Sequence, residues 1–193
     1  MKVQYLSVEE YIQHEIATDQ KHEYHNGEIY ALAGGSIEHA LLIGNIYAEL
    51  RNALKQKNAN CKPIANDAKL HIEVENKFLY PDSMVVCGEI QKSAEDKNAL
   101  TNPTVIVEVL SKSTVAYDKG DKFFFYRQIP NLQEYVLIEQ DRSVVEVYYK
   151  KDKNELWNIS RFEGLNEVIK LQSLDIEIKM QDLYFDIDFT KAI

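Results

Sequence analysis

The run Thr104-Val105-Ile106-Val107-Glu108-Val109-Leu110 constrains this chain more than any other stretch. Six of its seven residues favour a buried β-strand. A short, continuous apolar run of this kind marks a strand covered on both faces. The exception is Glu108. A glutamate is almost never fully buried without a partner, and an unpaired buried charge is very costly. The fold must therefore bring a partner to Glu108.

The surrounding sequence alternates between helix and strand signals. Ser7 followed by Glu10 is a capping box and predicts a short helix to about Ala17. "HEYHNGEIYAL" alternates around Asn26-Gly27, which predicts a hairpin with a type I′ turn. Ser36 reads as the N-cap of a long helix from Ile37 to about Lys57, with Ile43, Ile46, Leu50 and Leu54 at helical spacing. "AKLHIEV" and "KFLYPDSMVVC" read as strands about a turn at Glu75-Asn76, and residues 88–103 as a polar loop. After the Glu108 strand, "DKGDKFFFYRQI" predicts a helix that Pro130 stops. "EYVLIE" and "SVVEVYYK" form a hairpin around Gln140-Asp141-Arg142; "LWNISRF" and "EVIKLQ" are two more strands, and "MQDLYF" a closing helix. With no repeat or linker, the reading is one α/β domain over residues 1–193.

A partner for Glu108 is offered by Tyr80-Pro81-Asp82, which places Asp82 at the mouth of the strand "SMVVC". Two carboxylates on neighbouring strands can share one hard divalent cation, and that cation repays the burial of Glu108. The Val109 carbonyl is a further candidate ligand. Downstream, Asp118, Lys122 and Tyr126 are spaced by four and share a helix face with Phe125 and Ile129. A lysine so placed reaches back to a buried carboxylate or snorkels to water.

Together these residues form an ordered set: Gly27 to Tyr30, His39, Pro81-Asp82, Glu108 to Thr114, Asp118/Lys122/Tyr126 and Glu134-Tyr135. The set resembles the PD-(D/E)XK nuclease superfamily, in particular a bacterial branch of restriction-endonuclease-like proteins. The likeness spans about residues 5–185. It implies an α/β, restriction-endonuclease-like core: a mixed central sheet flanked by helices, with additional β-hairpins. It implies a metal-dependent endonuclease acting on DNA, with Asp82, Glu108 and Lys122 catalytic, Asp82 and Glu108 holding Mg²⁺ or Mn²⁺, and His39 and Asp118 as accessory groups. It leaves a homodimer open. The sequence departs from the superfamily at Leu110, where a lysine is expected two residues after the glutamate; Lys122 is the candidate replacement.

Each signal has a plainer reading. Glu108 with Lys122 or Lys119 is also what a structural ion pair looks like. Asp82 after proline is more often a turn residue, and His39 at a helix start usually has no chemistry. A nuclease-like fold kept only for binding or assembly fits the same motifs. The net charge of −9 argues against coating nucleic acid by charge alone. No apolar run is long enough to cross a bilayer, and the first residues lack a signal-peptide pattern. The two cysteines, Cys61 and Cys87, form no C-x-x-C pair and read as reduced thiols, which with the missing leader points to the cytoplasm. His22 and His25 fall on opposite faces of a strand, so they are not read as a metal pair.

Overall fold

The structure is a computed structural model, and it describes residues 5–152 and 155–189. Residues 1–4, on which the leader reading partly rests, lie outside the described residues.

Helix α1 (Val8–Ala17) opens with the expected capping box between Ser7 and Glu10. Strands β1 (His22–His25) and β2 (Glu28–Ala31) pair antiparallel, with His25 opposite Glu28. Asn26 and Gly27 both have positive φ, 47° and 111°, as a type I′ turn requires. Helix α2 (Ile37–Gln56) is capped by the Ser36 side chain on the His39 amide. Its buried stripe is Leu42, Ile46, Leu50 and Leu54; Ile43 is only partly buried and flanks it. Truncating any one of the four to alanine would cost about 2–5 kcal/mol, which is what fastens α2 to the sheet.

Two sheets share the core. The first has five strands in the order β2-β1-β5-β4-β7, where β4 is Lys69–Ile72, β5 Lys77–Leu79 and β7 Ala99–Leu100. The second has six, ordered β11-β10-β9-β8-β6-β3. Its strands are β3 (Cys61–Ala65), β6 (Ser83–Cys87), β8 (Val105–Leu110), β9 (Glu134–Glu139), β10 (Val144–Tyr149) and β11 (Asn158–Glu163). Strand β8 runs antiparallel to β6 and parallel to β9, so this sheet is mixed. A small hairpin, β12 (Val168–Leu171) with β13 (Ile176–Lys179), and helix α5 (Met180–Leu183) complete the described chain.

Every residue of β8 is buried, as the apolar run demanded. Val105, Val107 and Val109 face α2, the β12–β13 hairpin and α5. Ile106 and Leu110 face the other way, into a cluster with Leu70 and Leu79 of the first sheet and Tyr126, Tyr135 and Leu137. Glu108 shares that second side by the period of two.

Several elements differ from the sequence reading. "KFLYPDSMVVC" is not one strand: it divides at Tyr80–Asp82, with β5 in the first sheet and β6 in the second. Asp82 therefore lies where the chain crosses from sheet to sheet. Strand β3 contains Pro63, a residue that argues against a central strand; β3 is tolerated because it is the sheet edge. Residues 88–103 contain the short strand β7, which pairs parallel with β4.

The cysteines require a correction. Cys61 and Cys87 stand directly opposite in the β3–β6 register and are joined by a disulfide. Without β3 recognised as a strand, their pairing was invisible, and the part of the cytoplasmic reading that rested on reduced thiols falls with it. Among the described residues no helix is long and apolar enough to cross a membrane.

Candidate active site

The site is built where β6 and β8 adjoin. Ser83 is opposite Val107, so the next step of the antiparallel ladder sets Asp82 against Glu108. Asp82 Oδ2 accepts the Val109 amide at 2.7 Å. This bond pins the carboxylate to the strand that carries Glu108. Asp82 is thus more than a turn residue.

Glu108 is 3% exposed. Its Oε1 accepts from the Lys122 ammonium at 3.0 Å and from the Tyr126 hydroxyl at 2.7 Å. Both partners come from the helical crossing between the parallel strands β8 and β9. That crossing is not the continuous α-helix expected. It is α3 (Val115–Tyr117), a π-helical turn over Asp118–Lys122 and α4 (Phe123–Tyr126). A π turn widens the coil, and such turns are frequent at functional sites. Asp118 and Lys122 are both buried, with Lys122 Nζ 3.4 Å from Asp118 Oδ1. Lys119, the other candidate partner of Glu108, pairs instead with Glu146.

His39 reaches the same place from the first turn of α2. Its Nε2 is 3.0 Å from the Val109 carbonyl and 3.4 Å from Asp82 Oδ2. The Val109 carbonyl, considered as a ligand from sequence, already has this imidazole as its partner. Gly35 makes room for the ring: a Cβ there would lie 2.7 Å from His39 Nδ1.

Glu23 was not singled out from sequence. It lies on β1 in the first sheet, 5% exposed, with Oε1 3.8 Å from Lys122 Nζ. Its other oxygen is 3.3 Å from His25 Nε2. The signal available was an acid and a histidine two apart on one strand face, which the hairpin pattern overshadowed. Tyr126 was visible as part of the spaced-by-four set, but nothing in the sequence said that its hydroxyl would bind Glu108. Glu134 of the Glu-Tyr motif is placed outside this site. Its carboxylate accepts from the Gln172 amide at 2.6 Å and from Ser173, tying β9 to the turn of the β12–β13 hairpin.

The electrostatics follow from three acids facing one ammonium, with Asp82 beside Glu108. Burial pushes the Glu108 carboxyl up to about 8, with Asp82 and Asp118 pushing the same way and Lys122 pulling against them. Burial alone would lower the Lys122 ammonium, but Glu108, Glu23 and Asp118 outweigh it and hold it above the ordinary lysine value. Burial likewise raises Asp118 against the pull of Lys122. Hydrogen bonding to the Asp82 carboxylate raises His39. Glu23 is the exception among the buried acids: His25 and Lys122 outweigh burial and keep it below the usual carboxylate range. The direction common to the cluster is that added positive charge would stabilise it.

The donors suit a hard cation. Hydrogen bonds among the described residues use Asp82 Oδ2 and Glu108 Oε1, leaving Asp82 Oδ1 and Glu108 Oε2 for another ligand. Among the described residues no group of three or more His, Cys, Asp or Glu side chains is arranged to hold a metal. Two carboxylates with the remaining positions left to water or substrate is the usual pattern for Mg²⁺.

A mixed α/β fold with paired acids on adjoining strands and a lysine reaching one of them defines a class: the chain is a restriction-endonuclease-like member of the PD-(D/E)XK superfamily. Within that class it belongs to the Uma2 family, described as "Putative restriction endonuclease", whose profile matches residues 8–181. Two Synechocystis proteins are similar along nearly their whole length. The protein sll1609 is 36% identical over 171 residues, covering 89% of this chain and 95% of its own. The protein slr1290 is 32% identical over 184 residues, covering 95% and 94%. A crystal structure of a protein from Anabaena variabilis, described as "a putative nuclease belonging to DUF820", shares the fold. It superposes with a TM-score of 0.71 at 15% identity, over 97% of this chain and 99% of that one.

Proposed function

We propose that this protein is a divalent-cation-dependent endonuclease that hydrolyses DNA phosphodiester bonds, with Mg²⁺ or Mn²⁺ held by Asp82 and Glu108. The observation that carries the reading is the buried Glu108, set opposite Asp82 and bound through Oε1 to Lys122 at 3.0 Å. Bound there, the cation would polarise the scissile phosphate and lower the pKa of an attacking water.

The chain's own residues have separate tasks. The Val109 amide fixes Asp82, and Tyr126 fixes Glu108, each through one oxygen. Lys122 offers positive charge where the phosphate gains negative charge in the transition state, taking the place that Leu110 cannot fill. Leu110 packs in the apolar cluster with Tyr126 and Tyr135, so its position cannot deliver a charge. His39 and Asp118 are accessory: His39 orients Asp82, and Asp118 shares the Lys122 ammonium.

The test is nicking of plasmid DNA by purified protein, with Mg²⁺, with Mn²⁺ and with a chelator. Cleavage that needs the metal and is lost in Asp82→Ala is the expected result. Activity that survives both the chelator and Asp82→Ala would overturn the assignment. A folded protein that binds DNA and Mn²⁺ but never cuts would instead support the binding-module reading.

A further inference from the structure

Glu23 Oε1 is a buried carboxylate oxygen with no hydrogen-bond partner. Leaving such an atom unpaired costs free energy, so its position calls for a physical reason. The nearest positive charge is Lys122, 3.8 Å away and already committed to Glu108 at 3.0 Å. An ammonium has three donors. Three carboxylates surround this one, from Glu108, Asp118 and Glu23, at 3.0, 3.4 and 3.8 Å. The third interaction is incomplete.

The far side of Glu23 is firmly held. Lys77 Nζ lies 3.2 Å from His25 Nδ1, and since an ammonium only donates, Nδ1 is the acceptor. The His25 proton is then on Nε2, 3.3 Å from Glu23 Oε2. His25 and Lys77 are direct register partners on β1 and β5, so this relay is part of the first sheet. It fixes one oxygen of Glu23 and leaves the other facing Lys122.

We propose that Glu23 is a positioning residue for Lys122: when a divalent cation engages Glu108, the ammonium shifts its principal hydrogen bond from Glu108 Oε1 to Glu23 Oε1. This rests on the metal-site reading above. Glu108 cannot give its full charge to both a cation and Lys122, and a lysine released from it would swing away unless another carboxylate held it. Asp118, at 3.4 Å, already holds one donor of the ammonium; Glu23, whose Oε1 has no hydrogen-bond partner, is the carboxylate left to take the donor that Glu108 releases. It belongs to the N-terminal hairpin and the first sheet, so the sheet that carries neither Asp82 nor Glu108 sets where the lysine points.

The experiment measures acetylation of Lys122 by an N-hydroxysuccinimide acetate, read by mass spectrometry, with and without saturating Mn²⁺. Wild type should protect Lys122 in both conditions. Glu23→Gln should protect it without Mn²⁺, where Glu108 still holds it, and label about tenfold faster with Mn²⁺, the loss of one charge-assisted hydrogen bond. Glu23→Asp keeps the charge but shortens the reach, so its labelling with Mn²⁺ should fall between the two; it also serves if Glu23→Gln does not fold. A structural role alone would raise labelling equally in both conditions, and that result, or no change at all, overturns the assignment. Mn²⁺ affinity is measured in parallel by paramagnetic resonance. Glu23→Gln should lower it by about tenfold, because the hydrogen bond it removes is made only in the metal-bound state, whereas Asp82→Ala should abolish it. Wild-type protein that shows no Asp82-dependent Mn²⁺ binding removes the metal site itself, and this inference with it.

Discussion

Replacing Lys122 by methionine keeps most of the side-chain bulk and removes the cation that pairs with Glu108, Asp118 and Glu23. Lys122 and Glu108 are 8% and 3% exposed, so solvent screening offers little relief. Breaking a buried ion pair from one side costs about 3–5 kcal/mol. Tyr126 still binds Glu108 in the variant, and a proton can neutralise the acid, so the low end, about 3 kcal/mol, is expected without metal. For a chain of this size that is roughly a 6–12 °C fall in melting temperature.

The pH dependence has a definite sign. The folded Glu108 carboxyl, at about 8, lies above the ordinary glutamate value of 4.5. The folded state binds the extra proton between those values, so the stability from Glu108 is full below the lower one and is lost as pH rises through the upper. Lys122 pulls the folded value down; removing it raises that value further, by about 1.4 kcal/mol for each unit. The gap between wild type and Lys122→Met should therefore widen from about pH 6 to about pH 9. Urea unfolding in a chelator, followed by circular dichroism at both pH values, measures it. With Mn²⁺ at about one hundred times its dissociation constant, some 2.7 kcal/mol should return. The folded, Mn²⁺-loaded variant should still cleave DNA about 10²–10³-fold more slowly than wild type. A gap that is absent or narrows at high pH would refute the buried-pair argument, and unchanged cleavage would refute the displaced lysine.

Three other outcomes are expected. Asp82→Asn should keep the fold and lose Mn²⁺ binding, measured by calorimetry; binding unchanged from wild type would remove Asp82 from the ligand set. Glu134→Ala should cost about 1–3 kcal/mol in urea unfolding by leaving the Gln172 and Ser173 amides unpaired, without lowering Mn²⁺ affinity, since Glu134 is placed with the β12–β13 turn. Reducing the Cys61–Cys87 disulfide, which closes a separation of 26 residues, should cost about 3.5 kcal/mol in the same assay by loop entropy; no change on reduction would show that the crosslink does not constrain the unfolded chain.

Local rules made much of the fold legible. The Ser7–Glu10 capping box, the Asn26-Gly27 turn and the Ser36 cap depend on residues within a few positions of one another. Strand β8 was legible for a related reason, since a strand buried on both faces leaves a continuous apolar run. What was not legible depended on distant partners. Pro63 hid β3 until the edge of the sheet was known, and with β3 went the Cys61–Cys87 pairing. Strand β13 follows a left-handed Asp175 and pairs with β12, contacts that no single segment displays.

The candidate site divides along the same line. Residue types and order along the chain singled out Asp82, Glu108, Asp118 and Lys122, starting from a carboxylate too costly to bury without a partner, while His39 entered through the family resemblance. The sequence by itself also pointed to oxygen ligands and a mixed α/β class. Only the tertiary structure decided which cation reaches Glu108: Lys122 and Lys119 both lay within reach along the chain, and the π turn delivers Lys122 to Glu108 while Lys119 goes to Glu146. It also brought Glu23 in from a different sheet and gave the Val109 carbonyl to His39. Hydrogen bonds and ion pairs act over a few ångströms, whereas these partners are far apart in the chain, so their meeting is set by how the two sheets pack and not by any local pattern.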